Sequence, residues 1–118
     1  LEMMNPNWEN KGFEYDVESK ALTISGEGFL SLARMHSALR PLPINSLYLD
    51  CPDLSSIEGL ENIKLKTLDL GKTAVTSIKE LERLSFTNIK VLIRNNQFPP
   101  KSIREMQVKK DIKIINKD

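Results

Sequence analysis

Apolar residues recur along this chain in four short stretches that share one pattern. Each stretch has apolar residues at its first and third positions, a turn residue at its sixth and another apolar residue at its eighth. The stretches are 22–29, 47–54, 68–75 and 91–98, so their starts lie 25, 21 and 23 residues apart. Apolar residues two positions apart point to one side of a strand. A period in the low twenties with one strand per unit therefore predicts a stack of repeats.

The segments that connect these strands have a different spacing. Apolar residues recur every three positions through 54–65 and again through 75–86, which favours 3₁₀ turns or short irregular helices. Residues 30–39, which include the only histidine, His36, are good helix formers. They predict a longer helical return that ends before Pro43.

Both ends of the stack depart from this pattern. Residues 13–17 alternate apolar and polar side chains, which predicts a hairpin whose second strand is the first repeat strand. At the other end Pro100 suits the first turn of a helix through 101–108. Residues 112–114 then supply a last short strand.

The third repeat carries the resemblance to a known family. It matches the leucine-rich-repeat consensus at five positions, which are Leu65, Leu68, Leu70, Thr73 and Val75. The run 70–81 resembles the bacterial short-return subtype, which occurs in internalin-like surface proteins. The same subtype occurs in accessory domains of bacterial multidomain proteins, including some attached to serine/threonine kinases. The resemblance is strong for 44–98, weaker for 21–43 and absent for 1–12.

The turn positions are less uniform than in the family, which often has Asn there. Thr73 and Asn96 can take part in a ladder of hydrogen-bonding side chains, whereas Glu27 and Pro52 cannot replace the Asn, and Pro52 has no N–H group. We therefore expect the first two repeats to be less regular than the third and fourth.

Together these features predict an α/β fold, a short right-handed leucine-rich-repeat solenoid with parallel strands. The strands are expected near 22–24, 47–49, 68–70, 91–93 and 112–114, with an N-terminal β-hairpin cap and a C-terminal helix–strand cap. We expect residues 13–115 to form a single domain with both caps, and 1–12 and 116–118 to be tails.

Composition narrows the classes of function. The 118 residues are 40% hydrophobic and 28% charged, as in a globular domain, and no run approaches the ~20 apolar residues that span a bilayer. We expect no membrane insertion by this segment. No signal-peptide pattern opens the chain, so localisation stays open between the cytoplasm and the cell surface. The net charge of +1 gives no global attraction to nucleic acid.

Charge is nevertheless distributed unevenly between the two ends of the chain. Residues 1–20 have a net charge of −3, and residues 97–118 have a net charge of +3. Two interpretations stay open: two solvated end caps, or head-to-tail attraction between molecules or to adjoining domains.

Residues suited to catalysis or metal binding are few. His36 stands alone on a return segment, and Cys51 is the only cysteine, which rules out an internal disulfide. The run 71–73 resembles the end of a phosphate loop but lacks the upstream glycine. Asp50 and Asp69 could approach each other on adjacent strands, but a flat sheet does not exclude water. We expect no enzyme activity in this chain and assign no catalytic, cofactor-binding or metal-binding residues.

The outward side chains of the strands form the remaining candidate site. They include aromatic, aliphatic and charged types, and Tyr and Arg are frequent at the centres of interfaces. The residues assigned to partner binding are Tyr48, Asp50, Asp69, Lys90, Leu92 and Arg94. We expect a protein or peptide partner and no nucleic acid, with the oligomeric state left open.

Two functions are compatible with these expectations, beside a third in which the chain is part of an enzyme whose catalytic residues lie in another domain. The first is a non-enzymatic protein- or peptide-interaction module, which the resemblance implies is an accessory domain of a larger bacterial protein. The alternative is a cell-envelope structural or adhesion domain of internalin type. A signal peptide, cell-wall anchor or transmembrane segment in the full reading frame would favour the alternative.

Overall fold

Six strands form one sheet and lie side by side in the order of the sequence. The computed structural model describes residues 5–32, 43–60, 63–82, 89–109 and 112–116. The strands are β1 (Glu9–Asp16), β2 (Ala21–Glu27), β3 (Ser46–Asp50), β4 (Thr67–Asp69), β5 (Ile89–Ile93) and β6 (Ile112–Asn116). β1 is antiparallel to β2, and every later strand is parallel to the one before it. The predicted α/β class, the parallel strands and the N-terminal hairpin are confirmed.

Two helices complete the described elements. α1 (Ile78–Leu81) is one turn long and follows Ser77, whose hydroxyl accepts a hydrogen bond from the amide of Lys79. α2 (Pro100–Lys109) begins at the proline that the sequence placed in its first turn, and it precedes β6. The helix–strand order predicted for the C-terminal end is therefore confirmed.

The core lies against one face of the sheet. Its central row consists of register neighbours that are at most 2% exposed, namely Leu22, Leu47, Leu68 and Val91. Full burial of one such side chain stabilises a fold by roughly 1.5–3 kcal/mol. Since one residue from each strand contributes to this row, the 21- to 25-residue spacing of the sequence pattern becomes a continuous apolar stripe in the structure.

The return after β3 is a chain of tight turns. The amide of Leu60 donates to the carbonyl of Ile57 (3.1 Å), and the amide of Ile63 donates to the carbonyl of Leu60 (3.1 Å). Each bond spans three residues, as the apolar spacing of three predicted. Residues 33–42, with His36 and most of the predicted helical return, lie outside the described residues.

The folded part begins earlier than residue 13, where the sequence analysis placed it. Trp8 is 6% exposed and meets the ring of Phe29 edge-on at 4.9 Å, while its Nε1 donates to the carbonyl of Ser25 at 2.8 Å. A Cβ on Gly26 would lie 2.3 Å from that nitrogen, so only glycine allows the indole to approach. Residues from Asn5 onward thus belong to the fold rather than to a tail, and β6 extends it to Asn116.

Candidate functional site

The side chains on the outward face of the sheet fall into rows, because the strands are in register. The middle row contains Glu14, Thr23, Tyr48, Asp69, Leu92 and Ile115. The N-terminal row, at the starts of β2 to β6, contains Asp16, Ala21, Ser46, Thr67, Lys90 and Lys113. A strand holds each of these residues, so the face is a surface of fixed spacing.

Charge changes from one end of these rows to the other. β1 contributes Glu14 and Asp16, whereas β5 and β6 contribute Lys90 and Lys113, and all four are exposed. The two lysines are register neighbours, and like charges placed opposite each other repel. Neither ammonium group forms an ion pair within the part of the chain that the structure describes. Five strand spacings of ~4.8 Å separate the acidic end from the basic end, which is about 24 Å.

An apolar pair lies directly beside the two lysines. Leu92 and Ile115 are register neighbours in the middle row, and both are half-buried. Tyr48, two strands away in the same row, is also half-buried. The basic end of the face therefore combines positive charge with aliphatic surface that water still reaches.

Asp69 occupies its predicted outward position but is not in solvent. It is 6% exposed, between Tyr48 and Leu92 in the middle row, and its Oδ1 accepts a hydrogen bond from the amide of Gly71 at 2.9 Å. A carboxylate that accepts from the amide two residues ahead stabilises a turn. Asp69 therefore shapes the turn after β4 and does not present the exposed acid that the sequence analysis expected.

Arg94 is likewise engaged with the protein itself. Its side chain is half-buried, and Nη1 donates to the carbonyls of Gly71 (3.1 Å) and Thr73 (2.6 Å). These two carbonyls belong to the turn after the neighbouring strand β4. The guanidinium thus ties two adjacent turns together, a role that the outward position alone did not indicate.

Asp50 ends β3 and is exposed, beside the buried Cys51. Burial of the thiol, with a smaller contribution from the Asp50 carboxylate, raises the pKa of Cys51 to about 12. The thiol donates to the carbonyl of Ile24 at 3.5 Å. Because the thiolate is the nucleophilic form, this cysteine is a packing residue at neutral pH.

Gln97 is a buried polar residue that the sequence analysis missed. Its Nε2 donates to the carbonyls of Leu70 (2.7 Å) and Val75 (2.8 Å), and its Oε1 accepts from the amide of Arg94 (2.9 Å). The sequence pattern assigned the turn position to Asn96, which is exposed and has a left-handed φ of 60°. Gln97, the residue after Asn96, therefore links the turns that follow β4 and β5.

Similar links join the other neighbouring turns. Glu80 accepts hydrogen bonds through Oε1 from the amide of Ile57 (2.9 Å), and Asp53 accepts through Oδ2 from the amide of Gly28 (2.7 Å). Asn5 accepts through Oδ1 from two amides of the return after β2. In each case a polar side chain satisfies backbone groups 23 to 26 residues away.

Lys113 and Ile115 were also absent from the predicted site. The sequence analysis expected a last strand at 112–114 but read outward positions only on the four repeat strands. The alternation of side chains along that strand, extended by one residue, was the signal that could have found both.

The acidic end of the face contains an open recess of about 500 Å³. Its lining residues are Glu14, Tyr15, Asp16, Val17, Ala21 and Thr23. The lining thus combines two carboxylates of β1 with the small side chains of Ala21 and Thr23 on β2.

Comparisons of this chain with models of protein families, with curated proteins and with solved structures found no match. Within the described residues, no three potential ligands lie together as a metal site requires. No helix there is both long and apolar enough to cross a membrane. The described structure thus offers an outward sheet face whose charge changes from acidic on β1 to basic on β5 and β6.

Proposed function

We propose that this chain is a short right-handed leucine-rich-repeat solenoid whose outward sheet face binds a protein or peptide. Five parallel strands in sequential order support the solenoid, because a sheet wound in two directions would not place consecutive strands side by side throughout. The inner row of leucines and the links between neighbouring turns support it too, since both join residues one repeat apart.

The half-buried pair Leu92 and Ile115 is the observation that carries the binding proposal. Two aliphatic side chains in register on an outward face contribute nothing to the core on the other side of the sheet. Burying the remaining apolar surface stabilises a complex by about 25 cal/mol per Å². An accessory role in a larger bacterial protein, which the resemblance implies, fits a module of this kind.

A structural spacer of the cell envelope is the alternative, and it needs only the inner face and the turn links. It gives no reason for aliphatic residues beside two exposed lysines on the solvent side. We therefore place recognition first. Catalysis has no part in the proposed function. Burial raises the pKa of Cys51, so its thiol is protonated at neutral pH and is not in the nucleophilic thiolate form.

Selection of binding peptides tests the proposal. A library of random dodecamers would be screened against the folded chain, and the binding site of enriched peptides would be mapped by amide chemical shifts. We expect the largest shifts on β3 to β6 and a loss of binding in Leu92→Ser. The matched control is Val108→Ser, which removes an aliphatic side chain that is 90% exposed on α2. Failure to enrich any peptide, or shifts confined to the helices, would contradict the binding face.

A further inference from the structure

We infer that the partner segment lies extended across the strands, with carboxylates over the β5–β6 end and cationic side chains over the β1 end. This inference rests on the binding face proposed above and adds the chemistry and direction of what binds there. The occupant is a protein or peptide segment whose charge is divided between its two ends.

The direction follows from the way in which charge varies on the face. Within one strand the outward charges have the same sign. Asp16 and Glu14 on β1 are both acidic, and the charged outward residue of β6 is Lys113, beside the apolar Ile115. Charge changes sign only from strand to strand. A ligand that matches both ends must therefore run perpendicular to the strands rather than along one of them.

The length follows from the sheet spacing. The two ends lie about 24 Å apart, and an extended chain advances ~3.3 Å per residue. About seven residues therefore span the face. The middle of such a segment passes over β3 and β4, where the half-buried Tyr48 suits an aliphatic or aromatic residue, and Leu92 follows on β5.

Lys90 and Lys113 give the basic end its specificity. Lys90 and Lys113 are register neighbours with no ion-pair partner in the described part of the chain. A carboxylate that approaches both lysines is attracted by them and reduces the repulsion between them, which is present in the folded protein without a ligand. The carboxylates around the recess at the other end attract the opposite charge.

A second copy of this chain offers the same complementary charges but too little area. A face about 24 Å wide and three to five residues long buries roughly 500–800 Å² when two copies are counted, against roughly 1,200 Å² for a stable interface. An extended segment of about seven residues matches the ~24 Å between the two charged ends without needing contacts beyond the face. We therefore assign the face to a segment of another protein.

The test uses the same dodecamer library with charge-swapped proteins. We expect enriched sequences to carry acidic residues at one end and basic residues at the other, about seven positions apart. The double variant Lys90→Glu/Lys113→Glu should bind these peptides at least about tenfold more weakly, because repulsion replaces the attraction of each exposed charge pair. Peptides in which the acidic residues are replaced by lysine should recover binding to this variant.

The control is Lys79→Glu/Lys101→Glu, which makes the same charge change on exposed residues of α1 and α2. It should leave binding unchanged. Peptides that need Leu92 but show no charge division, or that bind the Lys90→Glu/Lys113→Glu variant equally well, would overturn this inference while the binding face stands. Concentration-dependent dimerisation that Lys90→Glu/Lys113→Glu abolishes would instead assign the face to a second copy.

Discussion

Neighbouring residues on the same strands belong to two very different surfaces. Leu47, Leu68 and Val91 face the core and are at most 2% exposed, whereas Tyr48, Asp69 and Leu92 follow them directly and face outward. The inner row is uniform because each member packs against the same buried face of the sheet. The outer row contains one aromatic, one acidic and one aliphatic residue, so packing does not dictate its composition.

This difference separates residues that hold the fold from residues that are available for recognition, but the boundary does not coincide with the two faces. Asp69 and Arg94 are assigned outward positions by the pattern, yet both hold the turn after β4. Tyr48, Lys90, Leu92, Lys113 and Ile115 remain as the surface that folding does not use.

The largest effect is expected on the inner row. Leu68→Ala should lower the free energy of unfolding by roughly 2–5 kcal/mol, because it removes buried methyl groups and leaves a cavity. Tyr48→Ala, on the opposite face of the adjacent strand, should cost less. Urea unfolding followed by circular dichroism measures both. Equal losses in the two variants would mean that the faces do not differ in their contribution to stability.

Gln97 should show the next largest effect. Gln97→Ala leaves the carbonyls of Leu70 and Val75 without this donor in a buried position, at a cost of about 1–3 kcal/mol. Gln107→Ala changes the same residue type at an exposed position of α2, where one hydrogen bond to the amide of Ile114 is lost. If the two substitutions destabilise the protein equally, the hydrogen bonds of Gln97 between the turns after β4 and β5 contribute no more to stability than an exposed hydrogen bond does.

Arg94 tests whether an outward residue can be structural. We expect Arg94→Ala to lower stability by about 1–2 kcal/mol through the loss of two hydrogen bonds to turn carbonyls. Arg94→Lys should recover only part of this, because one ammonium group does not reproduce the planar guanidinium. Arg104→Ala, at an exposed position of α2, is the control. An unchanged melting temperature of Arg94→Ala would show that this side chain does not stabilise the fold and is available to bind a partner.

A smaller and pH-dependent effect is expected at Cys51. Burial raises the pKa of its thiol from 9.0 to about 12, so the unfolded chain releases this proton at lower pH than the folded protein. The unfolded state then binds fewer protons between pH 9 and 12, and stability falls as the pH rises through that range. Cys51→Ser keeps a donor toward the carbonyl of Ile24 but does not titrate there.

The measurement is the difference in urea midpoint between the two proteins from pH 8 to pH 11. As the pH rises, the urea midpoint of Cys51→Ser should increase relative to that of the unsubstituted protein, because the thiol is the only titrating group in which the two proteins differ. A difference that is constant with pH would show that the thiol is accessible enough to ionise in the folded state. Slow reaction of the native thiol with a disulfide reagent at pH 8 is the companion observation.

The inner half of the fold follows from local pattern. A period of two within each strand and a period of 21 to 25 between strands place Leu22, Leu47 and Leu68 in one row, because both periods describe regular geometry. The hairpin and the terminal helix follow from equally local signals. The leucine-rich-repeat assignment itself remains a proposal.

The links between turns could not be predicted in the same way. Gln97 and Asn96 are both polar amides, so the sequence does not indicate which of them reaches the neighbouring turn. In the structure Asn96 has a left-handed φ, and Gln97 forms the hydrogen bond. Asp69 is buried at a register position between Tyr48 and Leu92, so its environment involves three strands at once. Hydrogen bonds of this kind depend on the three-dimensional positions of backbone groups more than 20 residues away.

The sequential order of the strands also determines how the protein would respond to force. β1 and β6 form opposite edges of the sheet, so a pull on the two ends of the chain acts across every strand pair in series. Strands would detach one at a time from the edges. Beyond the β1–β2 hairpin, each released segment of 21 to 25 residues would lengthen the chain by about 70 to 90 Å. Extension would therefore proceed in small steps of nearly equal size, and a domain of this kind would behave as an elastic element between whatever its two ends are joined to.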